Sequence, residues 1–408
     1  MTRFDPFEPG YDAWPYDQYR RLREADPVHW SDLLCGWVLT RYDDVDRVLR
    51  DRTVSSDLAR ARPSPVVDLW MSRRRPREGD GMTLVLTDEP DHGRLRKLMQ
   101  PPFSPRAVER LRSSIAERVD RYMAALAPRG AMELIGDFAD PLPVEVFCEM
   151  LGIPDEAGPR FREWTAAVAR SLDLVISDED YAACMVLLAE MEEYLSEVAD
   201  SKRGHPGDDV LSGLLAADVD GDRLGHDELI AQLVTLYVAG HEPTTALIGN
   251  GIAALLAHPE QLAWLQRHPE AIPGAVAELL RYDGPNQFVR RVAVEPMRFD
   301  GTGDGTPDPI VEPGDLLYLG VGAANHDPAR WGDDADTLRV DRPDAAQHVQ
   351  FGGGIHHCLG AHLARLQAEI ALTALLTRLG DLRPGGEVTW SGRTTLRSVA
   401  TVPLTWGG

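Results

Sequence analysis

Four cysteines are spread over 408 residues, and no two of them form a CxxC pair. Cys35, Cys148, Cys184 and Cys358 therefore suggest neither a zinc ribbon nor a disulfide framework. Long apolar runs are missing as well. The N-terminal stretch MTRFDPFEPGYDAWPY has no apolar signal core, and no segment reads as a bilayer span. A cytoplasmic protein with no membrane attachment is expected. Positive charge is scarce: 42 Lys and Arg stand against 65 Asp and Glu, a formal net charge of −23. Such a surface repels nucleic acid and anionic membranes. No internal repeat and no low-complexity linker interrupts the chain. A single domain over residues 1–408 is the expected organisation.

The hydrophobic fraction of 43% allows a large core. Cys148 and Cys184 lie among apolar residues and read as small buried hydrophobes. Apolar side chains recur at helical spacing over residues 106–127 and 181–202. The longest helical candidate is 226–257. Asp227 and Glu228 fall in its first turn, and His258-Pro259 closes it. From Leu229 to Gly240 it carries no charge, so burial on most sides is expected. Short strands are expected at residues 36–40 and between 286 and 320, with a turn at Gly301-Thr302-Gly303-Asp304-Gly305. Residues 326–350 read as irregular coil, and a helix is expected from Cys358 to about Leu379. The pattern is mainly α with a minor β component.

Chemistry concentrates in the segment Phe351-Gly-Gly-Gly-Ile-His-His-Cys358-Leu-Gly360. Its glycines allow unusual backbone angles and a close approach by another group. Cys358 then opens an Ala/Leu-rich helix, whose dipole and free N–H groups favour a thiolate. A thiolate held there suits iron. An inert core cysteine is the bland reading, and His362 on the same helix face makes a zinc site conceivable. A single thiolate without a second ligand pair argues against zinc.

Phe351, Gly352, Gly354, His356, Cys358 and Gly360 fill every fixed position of Phe-Gly-x-Gly-x-His-x-Cys-x-Gly. The segment thereby resembles the haem-binding signature of the cytochrome P450 family, and the likeness runs over nearly the whole chain. It implies heme b with Cys358 as the axial ligand, between the long helix and the Cys-ligand helix. Glu278-Leu-Leu-Arg281 matches the family's Glu-x-x-Arg helix, a pair that can meet on one helix face. Arg342 is the matching arginine from the coil, and the three would fix the loop that carries the thiolate. His92, Arg96, Arg291 and His356 resemble the family's propionate binders. Two buried carboxylates need such donors, and Arg suits them by its forked geometry.

On the long helix, Ala239-Gly240-His241-Glu242-Pro243-Thr244 resembles the family's Ala-Gly-x-acid-Thr. The resemblance implies that small Ala239 and Gly240 leave room for oxygen, while the acid and the next hydroxyl organise proton-delivering water. Here the hydroxyl position is Pro243. Proline removes one N–H and clashes with the carbonyl four residues back, that of Ala239. Either Thr244 or an ordered water takes over the relay and hydroxylation proceeds, or the oxidation is atypical: aryl, C–C or C–N coupling, or ring closure. The family's fatty-acid peroxygenases also carry Pro there, but after Arg rather than Glu.

Family topology implies substrate contacts near 60–86, near 165–185, on the long helix, at 286–290 and near Thr394-Thr395-Leu396. Phe288, Val289 and Leu396 are candidate pocket walls. The basic cluster Arg73-Arg74-Arg75 reads as a solvated loop or as a seat for an anionic or carrier-bound substrate. No GxGxxG after a strand and no iron–sulfur cysteine set occurs, so electrons must come from outside. A ferredoxin with its reductase is the implied donor, with Lys97, Arg106 and Arg110 as candidate contacts. The expected substrate is a small secondary metabolite or peptide, and the expected state a monomer. A non-catalytic haem gas sensor is the alternative of a different class.

Overall fold

The computed structural model describes residues 3–73, 83–173, 176–219, 221–301 and 307–407. The turn expected over 301–305 and the residues Arg74 and Arg75 fall largely or wholly outside them.

The molecule is organised around one helix, His226–Ala257. At 1.5 Å per residue it is about 48 Å long. The Glu228 side chain accepts from the Gly225 amide at 3.4 Å and closes its first turn. His258 ends it, and Pro259 opens the next helix. Leu229, Leu233, Tyr237, Leu247, Ile248, Ile252 and Leu255 are all buried. A helix apolar on so many sides must be wrapped, and it is. Helices Pro141–Leu151, Gly158–Ser171, Asp178–Gly204, Ile272–Asp283 and Ala361–Arg378 pack around it. Cys148 and Cys184 are buried in this helical mass, as expected.

A five-stranded sheet flanks the helices. Its strand order is Val28–Ser31, Gly36–Leu39, Leu316–Gly320, Phe288–Ala293, Val54–Ser55. The Gly36–Leu39 and Leu316–Gly320 pair is parallel and the others are antiparallel. Successive side chains of a strand point to opposite faces. Phe288 and Val292 enter a cluster with Phe4, Tyr19 and Tyr318. Val289 and Ala293 enter another with Leu39, Val45 and Leu49. Arg291 shares the parity of the second set, and this places it beside the Cys358 loop.

Two boundaries differ from expectation. The helix expected over 106–127 is divided into Pro105–Glu109 and Arg112–Leu126. The C-terminal helix begins at Ala361, not at Cys358. Cys358 stays in the preceding turn because Gly354 to His356 already form a tight 3-10 turn.

The coil 326–350 is held by a buried charge network. Arg281 donates to both carboxylate oxygens of Glu278, at 2.7 and 2.8 Å. Arg342 Nε reaches Glu278 Oε1 at 3.2 Å. Both arginines also donate to coil carbonyls, Arg281 to Asn325, Ala335 and Thr337, Arg342 to Trp331, Asp334 and Thr337. Glu278 and Arg281 are fully buried. A buried pair broken from one side leaves an uncompensated charge. Glu278→Ala should therefore destabilise the protein by about 3–5 kcal/mol in denaturant unfolding. A loss below about 1 kcal/mol would show the network to be dispensable.

Candidate active site

The Cys358 loop is shaped by what it touches. Gly354 has φ +61°, and a Cβ there would sit 2.7 Å from the Leu49 carbonyl oxygen. Only glycine meets both conditions. Gly352 likewise has φ +67°. The Cys358 amide donates to the Phe351 carbonyl at 2.8 Å and closes the loop. Burial pushes the Cys358 thiol up, while the Gly360 amide, Arg96 and Arg365 pull it down. Arg365 lies over the Phe351 ring, 4.8 Å from its centroid. Arg96 Nη1 donates to the carbonyls of Ile355 and His357, at 3.1 and 2.8 Å. Arg96 thus holds the loop itself and places a positive charge next to the sulfur.

Around this loop gather three buried or half-buried basic side chains, His92, Arg291 and His356, whose one ion-pair contact among the described residues is His92 Nδ1 to Glu89 Oε1 at 3.9 Å. His92 is 2% exposed, and neither ring nitrogen has a hydrogen-bond partner. Its ring centroid is 4.4 Å from that of His356. Burial holds the His92 imidazole low and takes His356 down to about 3. His356 Nε2 meets Ser56 Oγ at 2.9 Å. Arg291 is buried, its only hydrogen bond among the described residues goes to the Arg290 carbonyl, and burial lowers its pKa to about 10. A cavity of about 350 Å³ opens here, lined among others by Leu49, Arg291, Gly354, Ile355 and His356. Buried polar atoms are normally satisfied. The donor set fits a planar group with two carboxylates at its edge and one soft ligand, Cys358, beneath. Among the described residues no cluster of three His, Cys, Asp or Glu side chains could hold a bare metal ion. The zinc alternative therefore lacks a ligand set.

On the long helix the expected residues separate. Ala239 is exposed although the helix is mostly buried, and Pro243 follows one turn later on the same side. Gly240 has a packing role: a Cβ there would fall 2.0 Å from the Phe147 ring, so its smallness admits Phe147. Thr244 is 2% exposed and donates to the Gly240 carbonyl at 2.7 Å. At 100° per residue it lies about 140° around the helix from Ala239, on the buried side of the helix. Glu242 is paired with Arg393 Nη1 at 2.8 Å.

The pocket walls also need correction. Phe288 packs edge-on against Phe4 and Tyr19 and is core, because its pleat parity faces it away from Arg291. Val289 has the parity of Arg291 and is half-buried. Leu396 is half-buried and bridges to the Asn286 backbone. Sequence reasoning missed Arg393 and a buried contact of His241, whose ring nitrogens meet Thr165 Oγ1 and Asp140 Oδ1, each at 2.7 Å. No spacing rule links residues so far apart in the chain.

Residues 172–381 match the family model described as Cytochrome P450. The chain is 38% identical to the cytochrome P450 monooxygenase PikC of Streptomyces venezuelae, covering 97% of this chain and 91% of that protein. It is 33% identical to the 6-deoxyerythronolide B hydroxylase of Saccharopolyspora erythraea, covering 96% of each. Its structure aligns with P450BioI, solved with a hexadec-9Z-enoic acid-ligated acyl carrier protein, at TM-score 0.87 and 32% identity over 97% of this chain and all of that one. The chain belongs to the cytochrome P450 family. It is a haem-thiolate oxidoreductase of mainly α fold with minor β.

If these basic residues hold the haem edge, Arg291→Gln should speed haem transfer to apomyoglobin at least about tenfold, the equivalent of ~1.4 kcal/mol. Transfer at the parental rate would show that Arg291 does not hold it.

Proposed function

We propose that this chain, as one domain over residues 1–408, inserts an oxygen atom from dioxygen into a largely apolar secondary-metabolite or peptide substrate. The single observation that carries this reading is the largely buried basic set around the Cys358 loop, in which Arg96 grips the loop, Arg291 has no ion-pair partner among the described residues and both His92 ring nitrogens are unpartnered. The haem, when bound, supplies dioxygen activation and two-electron oxidation. The chain's own residues supply shape, orientation and protons.

An apolar substrate is supported by exposed side chains in the segments expected to meet it. Leu69, Met71, Val85, Leu86 and Leu172 are between 39% and 53% exposed. Arg73 donates to the Ile176 carbonyl and lies over the Tyr181 ring. It thereby ties helix Pro65–Arg73 to the start of helix Asp178–Gly204, and the entrance to the site would lie between these apolar segments. Exposed apolar patches of this kind mark binding sites. The relatives act in the same sense: one is named for hydroxylating 6-deoxyerythronolide B, another is seen with a fatty acyl carrier. With Arg73 engaged, its role is to brace the entrance rather than to seat an anion.

Electrons would come from a ferredoxin and its reductase. Lys97, Arg106 and Arg110 are exposed, and none has an ion-pair partner among the described residues. Lys97 follows Arg96 directly, the residue that grips the Cys358 loop. An acidic carrier docked there would sit close to the thiolate. No helix of the described residues is long and apolar enough to cross a membrane. A cytoplasmic monomer is consistent with this reading. The gas-sensor alternative has no observation in its favour, and relatives are named as monooxygenases and hydroxylases.

Pro243 sustains a second reading. With Thr244 donating to a carbonyl, Glu242 and water remain to move protons; insertion and coupling take up the same two protons per dioxygen and differ in whether oxygen enters the product or two substrate hydrogens leave. Turnover under labelled dioxygen separates the two: label in the product means insertion, and its absence with loss of two hydrogens means coupling or desaturation. Pro243→Thr in the same assay should change product per NADPH and peroxide release by at least about twofold, a small part of what a positioned proton donor contributes. If neither moves, Pro243 plays no part in the chemistry.

A further inference from the structure

Arg393 stands between two carboxylates from distant parts of the chain. Its Nη1 donates to Glu242 Oε2 at 2.8 Å, and its Nε lies 3.6 Å from Asp173 Oδ1. The Arg393, Glu242 and Asp173 side chains are 14%, 16% and 8% exposed, so water screens these charges weakly. The Asp173 contact is half made. Both Asp173 Oδ1 and Arg393 Nε are buried, and neither has a hydrogen-bond partner. Burial pushes the Asp173 carboxyl up, against the pull of Arg393 and Arg170. Arg170 stays 3.8 Å away, too far to satisfy it.

The three residues sit on three elements. Glu242 is on the long helix. Arg393 is on the C-terminal loop, which is pinned where the Thr395 carbonyl accepts from the Gln287 amide at 3.1 Å. Asp173 follows helix Gly158–Ser171, directly after Leu172, one of the exposed apolar residues at the proposed entrance. An approach of about 0.7 Å would complete the Asp173 bond. The guanidinium is a rigid planar fork, so turning it toward Asp173 draws Nη1 away from Glu242.

We propose that Arg393 is a positioning residue for Glu242 and that Asp173 competes for it. The inference rests on the reading of Glu242 as the proton-handling acid. Paired with Arg393, the Glu242 carboxylate is fixed in place. Released, it can turn, take a proton from water on Oε2 and pass it to the site. A substrate pressing on the Leu172 segment would move Asp173 against Arg393. Substrate contact would then set proton delivery.

The test is the reoxidation rate of dithionite-reduced holoenzyme in air-saturated H2O and D2O buffers. Arg393→Gln should speed the proton-sensitive rate and Asp173→Asn should slow it, each by at least about threefold. Opposite signs are the signature, because loss of a merely structural network would move both rates the same way. A second readout does not depend on redox chemistry. A thermal double-mutant cycle of Arg393→Gln and Glu242→Gln should give a larger coupling in the Asp173→Asn background than in the parent. Equal couplings, or rate changes of one sign, would overturn the inference. Glu242→Gln reoxidising at the parental rate, with no change in its solvent isotope effect, would remove the relay reading and this inference with it. A slow Glu242→Gln beside same-sign effects at Arg393 and Asp173 would remove the inference alone.

Discussion

A thiolate can serve as the only protein ligand of a metal group if the loop that carries it cannot relax. Here that constraint is met by backbone rather than by bulk. The Cys358 amide closes onto Phe351, the Gly360 amide faces the sulfur, and Arg96 clamps the carbonyls on either side of His356. The loop in turn leans on the coil 326–350, and the coil hangs from Glu278, Arg281 and Arg342. The bonds among Glu278, Arg281 and Arg342 are buried where water cannot replace them, which makes the arrangement specific rather than merely strong. The distal helix, the sheet and the cationic cradle all take their positions relative to this loop.

Electrostatics divides the molecule in two. The chain is strongly acidic, yet the interior beside the loop gathers His92, Arg291 and His356, whose one acidic contact among the described residues is Glu89, 3.9 Å from His92. Burial alone would expel such groups or neutralise them. Their persistence is intelligible as the complement of two carboxylates supplied by the haem. On the long helix, Glu242 is paired with Arg393 at 2.8 Å. The two regions thus handle charge differently: basic groups with little acidic company beside the loop, a closely paired carboxylate on the helix.

Much of this was legible in the chain, for local reasons. The signature around Cys358 is contiguous, the Glu278–Arg281 pair lies within one helical turn, and the helix 226–257 has end signals at both termini. The failures share a cause. Gly240 is small for the sake of Phe147, a residue almost a hundred positions away. Phe288 and Val289 differ only in pleat parity, and parity is set by which strands pair. The place of Thr244 could have been read from the helical repeat, whereas the Glu242–Arg393 pair spans 151 positions with no periodic signal. The start of the last helix moved to Ala361 because a turn and not a helix presents the cysteine.

The account stands on Cys358 as the thiolate ligand of a haem. The absorption spectrum of the reduced, carbon-monoxide-bound protein tests this most directly. Intact thiolate ligation predicts a band at about 450 nm. A band at about 420 nm in correctly folded protein would contradict it.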